Sequence, residues 1–273
     1  VSAPASSWED PRRALARHGL APKRAFSQNF LVSRHAVERI VDALDVREGT
    51  AVVELGPGLG TLTRALLGAG ATVRAIEADP AMRAVLEADL VAEGWPLTVL
   101  DGDAATFVPE AGERVVGNLP YAVTGAILRN LVGARDRIER AVVMVQKEVG
   151  QRLMAAPGGK TYGALTVFTQ AAFAIERVVA VPAGAFHPKP KVDSAVLRLT
   201  PHATPRAVET PMFRRVVRAA FQARRKTLRN ALGSLGLDKA KVTEALGEWA
   251  KARGETLGVE DFAALAARLE GEP

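Results

Sequence analysis

Between Thr50 and Arg140 the chain repeats one unit: a short β-branched apolar run, a loop, and a segment whose apolar residues recur at helical spacing. The runs AVVEL (51–55), TVRAIE (72–77), LTVL (97–100), RVVGN (114–118) and RAVVMV (140–145) predict strands, with helices between most of them. Strands that alternate with helices need crossover connections, which make a mainly parallel sheet with both faces covered. Two later runs, ERVVAV (176–181) and SAVLRL (194–199), predict further strands that close one sheet edge as a hairpin-like pair. The expected class is α/β, with a seven-stranded open sheet.

After Pro201 the pattern changes. The proline-punctuated HATPRAVETP reads as a linker, and everything beyond it is helical in period. The stretch MFRRVVRAAFQARRKTLRNALG predicts one long helix ended by Gly233 and Gly236. Phe213, Val216, Val217, Ala220, Phe221, Leu228 and Leu232 fall on one face, and Arg214, Arg218, Arg225 and Arg229 on the other. Two shorter helices follow near 238–250 and 259–269. A boundary near 200 then divides the chain into an α/β domain, 1–200, and a small helical domain, 201–273.

Composition removes several chemistries. There is no cysteine among the 273 residues, which excludes disulfides, thiolate metal sites and the thiolate nucleophile needed for methylation at pyrimidine carbon 5. The four histidines, His18, His35, His187 and His202, lack ligand-like spacing, so no metal centre is expected. No segment approaches the roughly 20 apolar residues of a membrane span, and the first residues lack an apolar signal core, so a cytoplasmic protein without a membrane partner is expected.

Charge points to a partner. Thirty-six basic against thirty acidic residues leave a net charge of +6, which favours a polyanion. Seven basic residues and no acid lie between Met212 and Asn230; Arg12, Arg13, Arg17, Lys23 and Arg24 form a second cluster, and Lys189 and Lys191 a third. Such patches neutralise phosphates and position a polyanion without reading its sequence. Solvated helix faces are ordinarily mixed in sign.

The candidate chemistry gathers at the carboxyl ends of the predicted strands. The first strand runs into Glu54-Leu55-Gly56-Pro57-Gly58-Leu59-Gly60, whose glycines allow a tight turn and close approach of a ligand. The spacing matches neither the dinucleotide fingerprint nor a triphosphate loop, and a plain strand-to-helix turn would use the same glycines. Glu77 ends the second strand, where an acid can hold two ribose hydroxyls. Asp103 reaches the same rim. Acids in place of phosphate-binding groups suit a cationic adenosine without phosphates, and S-adenosylmethionine fits; helix capping is their competing use.

Asn118-Leu119-Pro120-Tyr121 ends the fourth strand, beside that cofactor. The lone pair of an adenine exocyclic amine is delocalised into the ring, so the amine is a poor nucleophile until its hydrogens are held. The Asn118 side-chain oxygen and the Leu119 carbonyl can accept them, and Tyr121 offers a ring face on which an extruded base stacks. Attack on a sulfonium methyl then needs mainly alignment, without a covalent enzyme intermediate. An Asx-type turn with an incidental tyrosine is the bland alternative.

QNFL from Gln28, ELGPGLGTLT from Glu54, Glu77, GDA with Asp103, NLPY from Asn118, QKEVGQRL from Gln146, YGALTV from Tyr162, FHPKPKVDSAVLRL from Phe186 and FQARRKTLRNAL from Phe221 occur in that order. On these motifs nearly the whole chain resembles the ribosomal RNA adenine dimethyltransferase family, small-subunit type. The resemblance implies a Rossmann-like class I S-adenosylmethionine-dependent methyltransferase sheet with a helical C-terminal RNA-binding domain. It implies transfer of two methyl groups to each of two adjacent adenosines in a hairpin near the 3′ end of small-subunit rRNA, by a monomer acting on the 30S subunit or its precursor.

Carried onto this sequence, the resemblance makes residues 1–32 a cofactor-closing segment with Asn29 and Leu31 over the ligand. Gly56 and Gly58 lie along the cofactor, Gly56 beneath its methionine part. Glu77 holds the ribose, Asp103 takes the cofactor's adenine amine, and Asn118 serves both cofactor and target. Tyr121 and Phe186 stack on the two faces of the target adenine, and Arg214, Arg218, Arg225, Lys226, Arg229, Lys189 and Lys191 bind RNA. His187, where relatives vary, is expected to have no general-base role. Two other readings stay open: a macrolide-resistance type enzyme of large-subunit rRNA, and a non-catalytic ribosome-assembly factor on the same fold.

Overall fold

The fold is taken from a computed structural model that describes residues 8–26 and 28–271; the side chain of Arg24, part of the second basic cluster, lies outside the described residues. In chain order the strands are β1 (Phe30–Leu31), β2 (Ala51–Leu55), β3 (Thr72–Glu77), β4 (Leu97–Asp101), β5 (Glu113–Asn118), β6 (Ile138–Gln146), β7 (Phe173–Val181), β8 (Phe186–His187) and β9 (Ser194–Pro201). Seven of them form one sheet in the order β4-β3-β2-β5-β6-β9-β7. β4 to β6 run parallel through β3, β2 and β5, and β9 lies antiparallel to β6.

The apolar runs form strands because both faces are covered. Val52, Val53, Val73, Val115 and Val116 are all buried, and each buried aliphatic side chain contributes about 1.5–3 kcal/mol. Helices Arg34–Leu44, Thr61–Gly68, Pro80–Leu86 and Thr124–Gly133 flank the sheet. Ser33 caps the first of these through its hydroxyl, and Asp79 the third, which opens with Pro80 in its first turn. The strand order reverses between β2 and β5, and at such a switch point the carboxyl ends of neighbouring strands leave a crevice.

The chain divides into two compact units, residues 1–150 with 175–201, and residues 151–174 with 202–273. A single cut near 200 therefore misassigns Gln151–Ala174. Its apolar residues Tyr162, Val167, Phe168 and Ala171 share a core with Phe213, Val217, Leu246 and Phe262, and the rings of Phe168 and Phe213 meet edge-on at 6.0 Å.

The long C-terminal helix is two helices, Pro211–Gln222 and Leu228–Leu232. Thr227 takes an extended conformation before the second one. The bonds a continuous helix would make are replaced by others: the Leu228 N–H donates to the Ala252 carbonyl at 2.8 Å, and the Arg224 guanidinium pairs with Glu255 at 2.8 Å and donates to the Lys160 carbonyl. The expected arginine stripe is thus split, with Arg214 and Arg218 on one helix, Arg225 in the turn and Arg229 on the next. Among the described residues no helix is long and apolar enough to cross a membrane.

Candidate active site

A cavity of about 340 Å³ opens at the carboxyl ends of β2, β3 and β5, within the range of small-molecule sites. Its floor is the loop after β2. The Gly56 N–H donates to the Ile76 carbonyl at 2.9 Å, with φ +70°, a conformation that side chains other than glycine's resist. No atom lies within 4 Å of where a Gly56 Cβ would stand, so the backbone faces open space there. At Gly58 a Cβ would meet the Phe30 ring at 3.0 Å, which places that ring directly against the loop.

Glu77, at the tip of β3, is 8% exposed. Its carboxylate accepts from the Gly58 N–H at 3.0 Å and the Asp79 N–H at 2.9 Å. Burial raises its pKa, and those two N–H groups oppose the rise. Arg83 fixes the strand end by donating to the Glu77 carbonyl at 2.9 Å and the Asp101 carboxylate at 2.8 Å. Asp103 also lines the cavity; it is exposed and caps its own turn by accepting from the Ala105 N–H at 2.8 Å. Both acids therefore brace backbone and face the cavity at once.

Asn118, Leu119, Pro120 and Tyr121 form the opposite wall. Asn118 Nδ2 donates to the Asn29 carbonyl at 3.0 Å, which leaves Oδ1 as the acceptor end of the amide. The Leu119 N–H is tied to the Met144 carbonyl on β6 at 3.0 Å. The Pro120 carbonyl is consumed by the Val123 N–H and the Thr124 hydroxyl, which start the following helix. The half-buried Tyr121 contacts the Ser194 hydroxyl through its own at 3.0 Å.

Of the residues expected in the site, Asn29, Leu31, Gly56, Gly58, Glu77, Asp103, Asn118, Leu119 and Tyr121 all line this one cavity, while Phe186 does not. Phe186 is 4% exposed, inside a core cluster with Leu31, Ala185 and Val196. Its backbone pairs with Leu31 in the short β1–β8 ladder. The Phe186 segment holds Leu31 in the cavity wall without itself contributing to the lining. Phe26 and Glu54 stand out among the lining residues that had no individual role assigned. Phe26 is a large apolar side chain left 37% exposed. Glu54 is 2% exposed, accepts from the Thr63 hydroxyl at 2.6 Å, and burial pushes its pKa up to about 8. An acid inside the buried strand AVVEL was the signal available for Glu54.

The expected RNA-binding cations are exposed but not equivalent. Arg214 pairs with Glu209 at 3.0 Å. Arg218, Arg225, Lys226 and Arg229 are exposed side chains on the second unit, and Lys189 and Lys191 are exposed in the loop after β8.

The lining suits S-adenosylmethionine on a feature of charge. Among the described residues it carries the acids Glu77 and Asp103, with Glu54 beneath them holding a proton below about pH 8, and no lysine or arginine. A phosphate would lack partners there, whereas a cationic nucleoside would not. The family of ribosomal RNA adenine dimethylases matches over residues 19–263. The ribosomal RNA small subunit methyltransferase A of Myxococcus xanthus is 46% identical, over 94% of each chain. That of Moorella thermoacetica is 44% identical, over 95% of this chain and 98% of the relative. Among solved structures, a dimethyladenosine transferase from Plasmodium falciparum aligns with a TM-score of 0.77 at 25% identity, over 86% of this chain and 95% of that one. A 23S rRNA methyltransferase aligns at 0.66 and 30% identity, over 89% of this chain and all of the other. With its sheet order, its acid-lined cavity and these matches, the chain belongs to the ribosomal RNA adenine dimethylase family, on the class I S-adenosylmethionine-dependent methyltransferase fold.

Proposed function

We propose that this protein dimethylates the exocyclic N6 amines of two adjacent adenosines in a hairpin near the 3′ end of small-subunit rRNA, acting on the 30S subunit or its precursor during ribosome biogenesis. The observation that carries the reading is the pairing of a cavity whose ionisable lining, among the described residues, includes acids and no lysine or arginine with an asparagine amide whose oxygen end is the one left to accept. Relatives named for the small subunit are 44–46% identical, against 30% for the 23S enzyme, which favours the small-subunit substrate.

When bound, S-adenosylmethionine supplies an electrophilic methyl group on a sulfonium. Glu77 accepts from the ribose hydroxyls, Asp103 from the cofactor's adenine amine, and Gly56 and Gly58 let the backbone run beside it. Asn29 and Leu31 cover it. Asn118 Oδ1 and the Leu119 carbonyl accept the two N–H bonds of the target amine, which frees its lone pair for attack. Tyr121 stacks on the extruded base. The proton lost from an alkylated aromatic amine is already acidic, so no general base is required. Arg218, Arg225, Lys226 and Arg229, with Lys189 and Lys191, neutralise phosphates. A monomer carries out the chemistry in this reading.

The test is transfer of labelled methyl from S-adenosylmethionine to small subunits that lack the modification. Incorporation of about four methyl groups per subunit is expected from the two doubly methylated adenosines. Tight binding to the subunit without transfer would replace the enzyme with an assembly factor.

A further inference from the structure

One wall of the cavity is the segment that precedes β2, with Phe26, Gln28, Asn29, Phe30 and Leu31 facing inward. At one end it is held by the β1–β8 ladder. At the other end it is held by a single carboxylate. Asp79 is 0% exposed. Its Oδ1 accepts from the Lys23 ammonium at 2.8 Å and the Ala81 N–H at 3.0 Å, and its Oδ2 accepts from the Gln28 side-chain amide at 2.8 Å. Gln28 in turn accepts the Lys23 N–H at 2.8 Å, which closes a ring of bonds.

Capping the helix that begins at Pro80 needs only the bond from Ala81. The other two bonds reach a segment more than fifty residues away and do nothing for that helix. The backbone N–H of Asp79 meanwhile donates to Glu77 Oε1 at 2.9 Å, so the same residue touches both the strap and the ribose-side acid. Burial opposes ionisation of Asp79, but the Lys23 ammonium, the Ala81 N–H and the Gln28 amide together hold its carboxyl below the ordinary range. Lys23 is 43% exposed, so one partner of the latch stays within reach of water and can let go.

We propose that Asp79 is a positioning residue for methyl transfer: its carboxylate latches Lys23 and Gln28, the latter in the wall of the cofactor cavity, while its N–H sets Glu77, so that the latch and cofactor binding are coupled. The inference rests on the cavity being the S-adenosylmethionine site. Opening the latch then weakens cofactor binding, giving a raised KM for S-adenosylmethionine.

The test uses the full chain and S-adenosylhomocysteine as probe, titrated calorimetrically, with hydrogen exchange followed in residues 21–31. Asp79→Ser keeps a hydroxyl to cap Ala81 but loses both strap bonds, and Lys23→Met breaks the latch from its exposed side. Each is expected to bind the probe about tenfold more weakly and to exchange faster in 21–31 without it, and the double variant is expected to be no worse than Asp79→Ser alone. Wild-type affinity and exchange in both single variants, or fully additive losses in the double variant, would overturn the latch. If the wild-type chain itself does not bind the probe, the cofactor reading falls and the latch with it.

Discussion

Asn118 at the end of β5 donates its side-chain N–H to the backbone carbonyl of Asn29, 89 residues earlier, at 3.0 Å. That bond decides which end of the amide is left for chemistry. It also ties the Asn118–Tyr121 loop to the strap over the cavity, so two parts of the cavity wall are joined by one bond.

Asn118→Ala is expected to lower kcat by about a hundredfold or more, the usual cost of removing one oriented group from a charge-developing site. Affinity for the small subunit is expected to stay within about twofold, because phosphate contacts carry it. Single-turnover methyl transfer and a binding isotherm on the same variant check both halves. Comparable losses in the two would contradict the role given to Asn118.

Tyr121 is expected to act through its ring and not its hydroxyl. Tyr121→Phe removes only the hydrogen bond with Ser194 and should keep kcat/KM within about threefold. Tyr121→Ala should lose about 1–3 kcal/mol of stacking in kcat/KM. Steady-state kinetics on the RNA substrate distinguish the two.

Glu54 makes stability depend on pH. Its pKa rises from an ordinary 4.5 to about 8 through burial, so the folded state holds a proton that the unfolded chain has lost. Stability from this group is full below about pH 4.5 and is lost as pH rises towards 8. Melting temperatures of wild type and Glu54→Gln across that range should converge at low pH and separate at high pH, with the variant flatter. Parallel curves would contradict the buried protonated acid.

The basic residues of the second unit should divide by what they already hold. Neutralising Arg218, Arg225, Lys226 and Arg229 to Gln is expected to reduce the slope of log affinity against log salt, by roughly 0.7–0.9 for each phosphate no longer neutralised. Arg224→Gln is expected to lower the melting temperature with little change in slope, since its guanidinium is spent on Glu255 and the Lys160 carbonyl. Binding isotherms at several salt concentrations check this.

The parallel sheet was legible because its strands are buried on both faces and spelled as unbroken apolar runs. Glu77, Asp103 and Asn118 were legible because open sheets bind ligands at strand ends, and these residues lie at or just beyond strand ends. For Phe186 a motif names a residue without giving its surroundings, and here it is buried in a core cluster with Leu31. The break at Arg224–Thr227 was hidden because the apolar spacing continues through it while tertiary bonds end the helix. Gln151–Ala174 was misassigned because a linear cut cannot register that Phe168 packs against Phe213. Asp79 reads as an ordinary N-cap in sequence; only the fold brings Lys23 and Gln28 to it.

Mass-spectrometric mapping of both ribosomal RNAs, after reaction of the wild-type chain and S-adenosylmethionine with unmodified subunits, tests the central claim most directly. The expected result is N6,N6-dimethyladenosine at two adjacent positions near the 3′ end of small-subunit rRNA, absent with Asn118→Ala. Dimethyladenosine in large-subunit rRNA instead, or none in either, would contradict it.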